Sequence, residues 1–265
     1  MGIVNVTPDS FYNGGSNASM DDIIARVDDM AAEGVDIIDI GGESSRPGSV
    51  RVSEEEEQKR VLPVIRMVRE KYPDIIISVD TYKARVASKA VESGADIIND
   101  ISSFSMDKDM IQVMLEYKKP VVLMHMQGTP AAMQKDPQYN DVVREIYDYL
   151  HKRIDMLMDK GFPQDKIIID PGIGFGKTRE HNIEIIRNIK KFHELKLPIL
   201  IGASMKRLVG DITGRETAKR GAGSIGIHPA FQTIQKMIAS TKIGTASLVN
   251  TFSAEKSVTL IRQST

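Results

Sequence analysis

A single-domain parallel α/β barrel of the (β/α)8 type is the fold class that the 265-residue sequence predicts. Three observations carry this. Short β-branched apolar runs alternate with longer amphipathic stretches. No linker, low-complexity stretch or composition break divides residues 1–265. Polar residues recur at the carboxyl ends of the apolar runs. A barrel brings such ends onto one face, so it fits better than an open doubly wound sheet.

The runs are residues 2–6, 35–40, 75–79, 96–99, 120–124, 166–169 and 198–202. Near-continuous apolar strands are expected where both faces of a parallel sheet are buried. Helical patterns fill residues 21–33, 54–72, 82–93, 108–117, 141–160 and 180–195. Gly34, Gly94 and Gly161 follow three of them, where a C-cap glycine belongs. Ser53 precedes four acids and reads as an N-cap. An eighth strand is expected after residue 220, at 235–241 or 245–251, because Pro229 interrupts the helical pattern of 222–241.

Composition narrows the function classes. With 41% apolar and 27% charged residues the chain is ordinary for a globular protein. A net charge of −1 argues against nucleic acid as a partner, since no surplus of cations opposes the phosphates. The absence of cysteine removes disulfides, thiolate metal sites and a cysteine nucleophile, and fits a reducing compartment. No apolar run approaches the ~20 residues of a membrane helix, and no signal peptide opens the chain. A cytoplasmic protein is expected.

The strand ends carry Asn5, Asp80, Asn99, His125, Asp170 and Lys206. One such residue is unremarkable. For Asp80 and Asn99 the plain alternative is a helix N-cap, at roughly even odds. Together they suit a planar heterocycle with adjacent N–H donors and acceptors. A carboxylate can take two parallel N–H bonds, and an Asn amide offers a donor and an acceptor. In Asp170-Pro-Gly-Ile-Gly-Phe-Gly-Lys177 the glycines allow close backbone approach to a ligand. The stretch lacks GxxxxGK[ST], which excludes a nucleotide P-loop. Phe175 packs against a ring or simply in the core. Lys206 opposes a helix dipole if it only starts a helix, so a ligand carbonyl or diphosphate suits it better. The glycine-containing loops from Asn5 and from Gly41 are either turn chemistry or lids over a reactive intermediate. His151 and His193 lie in helical patterns and read as surface residues, Arg179-Glu-His181 as a helix's first turn. No His and carboxylate set has zinc spacing.

Several of these segments together resemble dihydropteroate synthases. MGIVNVTPDSF and IIDIGGESSRPG (37–48) are similar to the two signature segments of that family. ISVDTYK, DIINDIS, VVLMHMQGTP, IIIDPGIGFGK and IGASMKR follow in the family's order, through about residue 215. The resemblance implies a TIM-type barrel and a cytoplasmic homodimeric transferase of folate biosynthesis, the target of sulfonamides. It would condense 6-hydroxymethyl-7,8-dihydropterin diphosphate with 4-aminobenzoate. It assigns pterin binding to Asp80, Asn99, Asp170, Phe175 and Lys206. Asn5 would meet the diphosphate and its Mg²⁺. Asn5, Asp9, Asn13 and Lys206 would form the catalytic set, and Ser45, Arg46, Pro47 and Arg207 the 4-aminobenzoate site.

Three departures stand out. The family's Arg-X-His on strand eight has no counterpart after residue 215, where the two possible registers place Val249 and Thr251 or residues 239–241. Asn13 stands where the family has Asp, and Ser204-Met205-Lys206 replaces Ser-Arg-Lys. Each lost charged hydrogen bond costs ~1.5–3 kcal/mol. The alternative reading is therefore a non-catalytic or impaired pterin-binding paralogue. A methyltetrahydrofolate methyltransferase is disfavoured by the TPDSF and GGESSRPG segments.

Overall fold

The computed structural model describes residues 1–7, 20–45, 49–130, 132–202 and 258–260. The chain divides into two compact units, Met1–Val121 and Val122–Gln263.

The first unit is four βα repeats: β1 Gly2–Asn5, α1 Met20–Ala32, β2 Ile37–Gly41, α2 Glu54–Lys71, β3 Ile76–Asp80, α3 Ala84–Glu92, β4 Ile97–Asp100 and α4 Met110–Tyr117. The strands run parallel in the order β1-β2-β3-β4. Side chains alternate across a strand, so each repeat sorts its residues onto two faces. Val4, Ile38, Ile40, Ile77 and Val79 pack in one buried cluster with Ile23 and Val27 of α1, Val61, Ile65 and Val68 of α2, and Val86 and Ala90 of α3. The helical residues recur at three- and four-residue spacing, which makes an apolar stripe wide enough to cover the sheet. The alternate residues Asp39, Gly41, Ser78, Asp80 and Asn99 fall on the opposite face.

The expected caps are present. Ser53 Oγ accepts from the Glu56 N–H at 3.2 Å. Gly34, Gly94 and Gly161 have positive φ angles of 77°, 116° and 83°. The N-cap alternative for Asp80 and Asn99 is excluded: α3 starts at Ala84 with Lys83 at its cap, and α4 starts at Met110 with Asp109 at its cap. The Ala84 N–H instead donates to Asp107, at 2.8 Å.

The second unit holds β5 Val121–Met124, α5 Val142–Met158, β6 Ile167–Asp170, α6 Arg179–Arg187, β7 Ile199–Ile201 and β8 Val258–Leu260. The strands follow the order β5-β6-β7-β8. β6, β7 and β8 pair in parallel, and the His125 N–H donates to the Asp170 carbonyl at 3.0 Å. Ile146, Leu150 and Leu157 of α5, Ile185 of α6 and Phe192 are buried. Asp141 caps α5, and Thr178 with His181 forms a capping box on α6. The Arg179-Glu-His181 turn is therefore helix-capping chemistry.

One expectation needs correction, and another falls outside the described residues. The helix expected over 180–195 ends at Asn188, whose backbone and side-chain N–H groups both donate to the Glu184 carbonyl, at 3.0 Å and 2.9 Å. A 3-10 segment, Ile189–Leu195, follows. The two segments proposed for strand eight, 235–241 and 245–251, lie outside the described residues. The strand that pairs with β7 is further on, at Val258–Leu260.

After β6 the chain turns through residues 171–177. Gly172 has φ 70°, and a Cβ there would lie 1.9 Å from the His125 carbonyl oxygen. Only glycine allows this contact. Gly172→Ala should therefore cost at least ~1–3 kcal/mol in denaturant unfolding, because a strained backbone adds to a backbone clash. Ser53→Ala, which removes one cap, should cost about 1 kcal/mol by the same measurement.

Candidate active site

The register of the first unit aligns its polar strand ends. Asn5 pairs with Gly41, Gly41 with Asp80, and Asp80 with Asn99. These residues thus form one lateral row across four strands. A Cβ on Gly41 would stand 3.5 Å from Asp80 Oδ2 and 3.6 Å from Asn5 Oδ1. The bare glycine keeps open the space that Asn5 and Asp80 flank. Asn5 and Asp80 are half-buried and Asn99 is buried. The Asn99 carbonyl accepts from the Thr81 N–H at 3.1 Å, which leaves its side chain for other work.

The row is strongly acidic. Burial, then the charges of Asp39, Glu57, Asp100 and Glu43, hold the Asp80 carboxyl well above the usual range. Among the described residues no N–H or O–H donates to it. Asp39 lies two residues before Gly41, on the same face, and its carboxyl is pushed up to about 6, mainly by burial. Asp100, fully buried, accepts from Ser102 and from the Phe104 N–H, and so shapes the next turn.

Beside the row lies a buried ion cluster. Lys83 Nζ donates to Glu43 at 2.6 Å and also to Glu57. Burial alone would lower the Lys83 pKa, but the two carboxylates outweigh it and raise it. Glu43 also accepts from the Tyr82 hydroxyl at 2.9 Å and from the Val52 N–H at 3.1 Å. It therefore ties residue 43 to residue 52, the two sides of the segment that contains Ser45.

In the second unit, Asp170 is buried, and its Oδ1 accepts from the Gly172 N–H at 2.7 Å. Phe175 is half-buried in the same turn. Lys177 closes the turn: its Nζ lies 3.0 Å from His125 Nδ1 and 2.9 Å from the Phe175 carbonyl. Burial, then the Lys177 charge, pushes the His125 pKa down to about 2. With Tyr149 edge-on at 4.9 Å, His125 is a neutral packing residue at physiological pH, not an acid–base group.

The structure thus gathers Asn5, Asp80 and Asn99 in one unit, and Asp170 and Phe175 on one turn of the other. Asp9, Asn13, Arg46, Pro47, Lys206 and Arg207 lie outside the described residues, as do positions 249 and 251. With β8 at Val258–Leu260, Ile261 and Arg262 follow the strand in sequence; these too lie outside the described residues. Sequence reasoning missed Asp39, Glu43, Glu57, Lys83 and Lys177. A signal existed for Asp39 alone: an acid inside the apolar run Ile37-Ile38-Asp39-Ile40. Glu57 was hidden among four consecutive glutamates.

Comparison with known proteins matches the same features. Residues 1–235 match the family described as pterin binding enzyme. The chain is 46% identical over 210 residues to a dihydropteroate synthase of Clostridium beijerinckii, covering 79% of this chain and 75% of that protein. It superposes on the Yersinia pestis dihydropteroate synthase in a sulfonamide drug complex with a TM-score of 0.83 and 35% identity, over 99% of this chain and 86% of that one. The Xanthomonas albilineans enzyme in complex with 7,8-dihydropteroate gives 0.79 and 35%, over 99% and 86%. The fold class is accordingly the TIM-type barrel the sequence predicts. The chain belongs to the pterin-binding enzyme family, alongside the dihydropteroate synthases.

Proposed function

We propose that the chain is a dihydropteroate synthase: it joins 6-hydroxymethyl-7,8-dihydropterin diphosphate to 4-aminobenzoate, releasing 7,8-dihydropteroate and diphosphate. The observation that carries this is the row Asn5, Gly41, Asp80 and Asn99. It offers a carboxylate with no donor among the described residues, and an amide, to a flat nitrogen heterocycle, in a chain 46% identical to such an enzyme.

Asp80 accepts paired N–H groups of the pterin, and Asn99 supplies a donor and an acceptor. The family resemblance adds Asp170, Phe175 and Lys206 to pterin binding. It adds Ser45, Arg46, Pro47 and Arg207 to 4-aminobenzoate binding, and Asp9 and Asn13 to catalysis. The C–O bond of the pterin methylene breaks, and diphosphate leaves with the electron pair. The amine nitrogen then forms the C–N bond and loses a proton to solvent. The carboxylates around Asp80 favour the cationic carbon between these steps. No protein nucleophile is required.

Mg²⁺, when bound, would neutralise charge on the leaving diphosphate. Asn5 would hold it, through its amide oxygen. Among the described residues no cluster of three His, Cys, Asp or Glu could hold a metal ion. A homodimer in the cytoplasm completes the proposal. Among the described residues no helix is long and apolar enough to cross a membrane. The missing Arg-X-His favours a second reading, a paralogue that binds pterin without turnover.

Diphosphate release that needs both 4-aminobenzoate and Mg²⁺ is the expected result; calorimetric pterin binding without release would select the paralogue. Asp80→Asn should weaken pterin binding roughly 10- to 150-fold, the loss of one charged hydrogen bond. Affinity of the parent should rise with pH through the elevated Asp80 titration, because only the ionised form accepts two N–H bonds. A protonated Asp80 must first lose its proton. The asparagine variant should lose that dependence, as read by titrations across pH.

A further inference from the structure

Asp39 is 3% exposed and sits inside the sheet of the first unit. The Met1 ammonium charge and the neighbouring Ser78 and Asn99 side chains favour its ionised form. Burial outweighs them and pushes the carboxyl up, and a neutral residue of the same shape would remove that cost.

Of the groups around it, Asn99 is the one that belongs to the polar row. Asn99 Nδ2 lies 3.3 Å from both Asp39 oxygens. The two residues are two strands apart, on β2 and β4, with Ser78 of β3 paired beside Asp39 and Asp80 paired beside Asn99. An ionised carboxylate only accepts hydrogen bonds. The Asn99 amide facing it must therefore present nitrogen, so the carboxylate removes the ambiguity of an amide that could otherwise flip. One N–H is engaged, and Oδ1 and the second N–H keep a defined order.

We infer that Asp39 is a positioning residue for the heterocycle: it locks the Asn99 amide in the single orientation that matches the ligand's donor and acceptor. This rests on the pterin reading of Asn99. An Asn at position 39 can donate or accept and no longer dictates the orientation, while it also removes the buried charge. The inference thus separates stability from binding, which a purely structural role does not.

The test is a double-mutant cycle on the full chain, with 6-hydroxymethyl-7,8-dihydropterin titrated calorimetrically. This probe has no leaving group, so stabilisation of a developing cation does not enter. Asp39→Asn should bind it roughly 3- to 10-fold more weakly, the worth of one neutral hydrogen bond. In an Asn99→Ala background the same change should cost less than about twofold. The KM for 4-aminobenzoate should stay unchanged, and the variant should melt no lower than the parent. Unchanged pterin affinity in Asp39→Asn overturns the inference, as does an equal loss in both backgrounds, which would mean that Asp39 acts on the ligand itself. A variant that melts well below the parent also overturns it, because Asp39 would then be a structural group. If Asn99→Ala binds the probe as tightly as the parent, the pterin reading of Asn99 fails and takes this inference with it.

Discussion

Parallel pairing of β1 through β4 places Asn5, Gly41, Asp80 and Asn99 side by side. Because side chains alternate along a strand, a slip of one residue in any strand would turn that strand's polar end toward the helices and its apolar residues away from them. The buried cluster of Val4, Ile38, Ile40, Ile77 and Val79 against α1, α2 and α3 opposes such a slip. The apolar face thus sets the geometry of the polar one. The site is as rigid as the core beneath it.

That arrangement concentrates negative charge. Asp39, Asp80, Asp100, Glu43 and Glu57 influence one another strongly enough to raise Asp80, and burial raises Asp39 and Asp100 as well. Lys83 relieves part of this by meeting Glu43 and Glu57 together. The Met1 ammonium favours the ionised form of Asp39, and among the described residues the charges acting on Asp80 all raise its pKa. Stability alone does not favour such crowding, but a ligand rich in N–H donors, or one that develops positive charge, does. The acidity of the row and the proposed reaction therefore have one physical basis.

Much of the scaffold was legible because local rules suffice for it. The seven apolar runs became strands within a residue or two, since unbroken β-branched stretches serve buried parallel strands. Ser53 and the glycines after α1, α3 and α5 did what their chemistry dictates at helix ends. Asn188 shows where this stops: helical periodicity runs through it, yet α6 ends there, with its backbone and side-chain N–H groups both on the Glu184 carbonyl. The sequence left the eighth strand's place open, because three residues paired with β7 carry too little pattern to be found without the partner strand.

The sequence by itself determined the βα succession, the polar strand ends and, through its long signature segments, the family. All of these reside in residue order and short-range periodicity. Tertiary structure decided which polar residues line up across the strands and which pack among their neighbours. His125, a plausible strand-end ligand, is neutral and packed between Lys177 and Tyr149. Asp39 and Lys83, which the sequence reading passed over, meet Asn99 and two glutamates. Such roles depend on which groups approach across strands distant in sequence and on how much water remains between them. Neither quantity is written in the local order of residues.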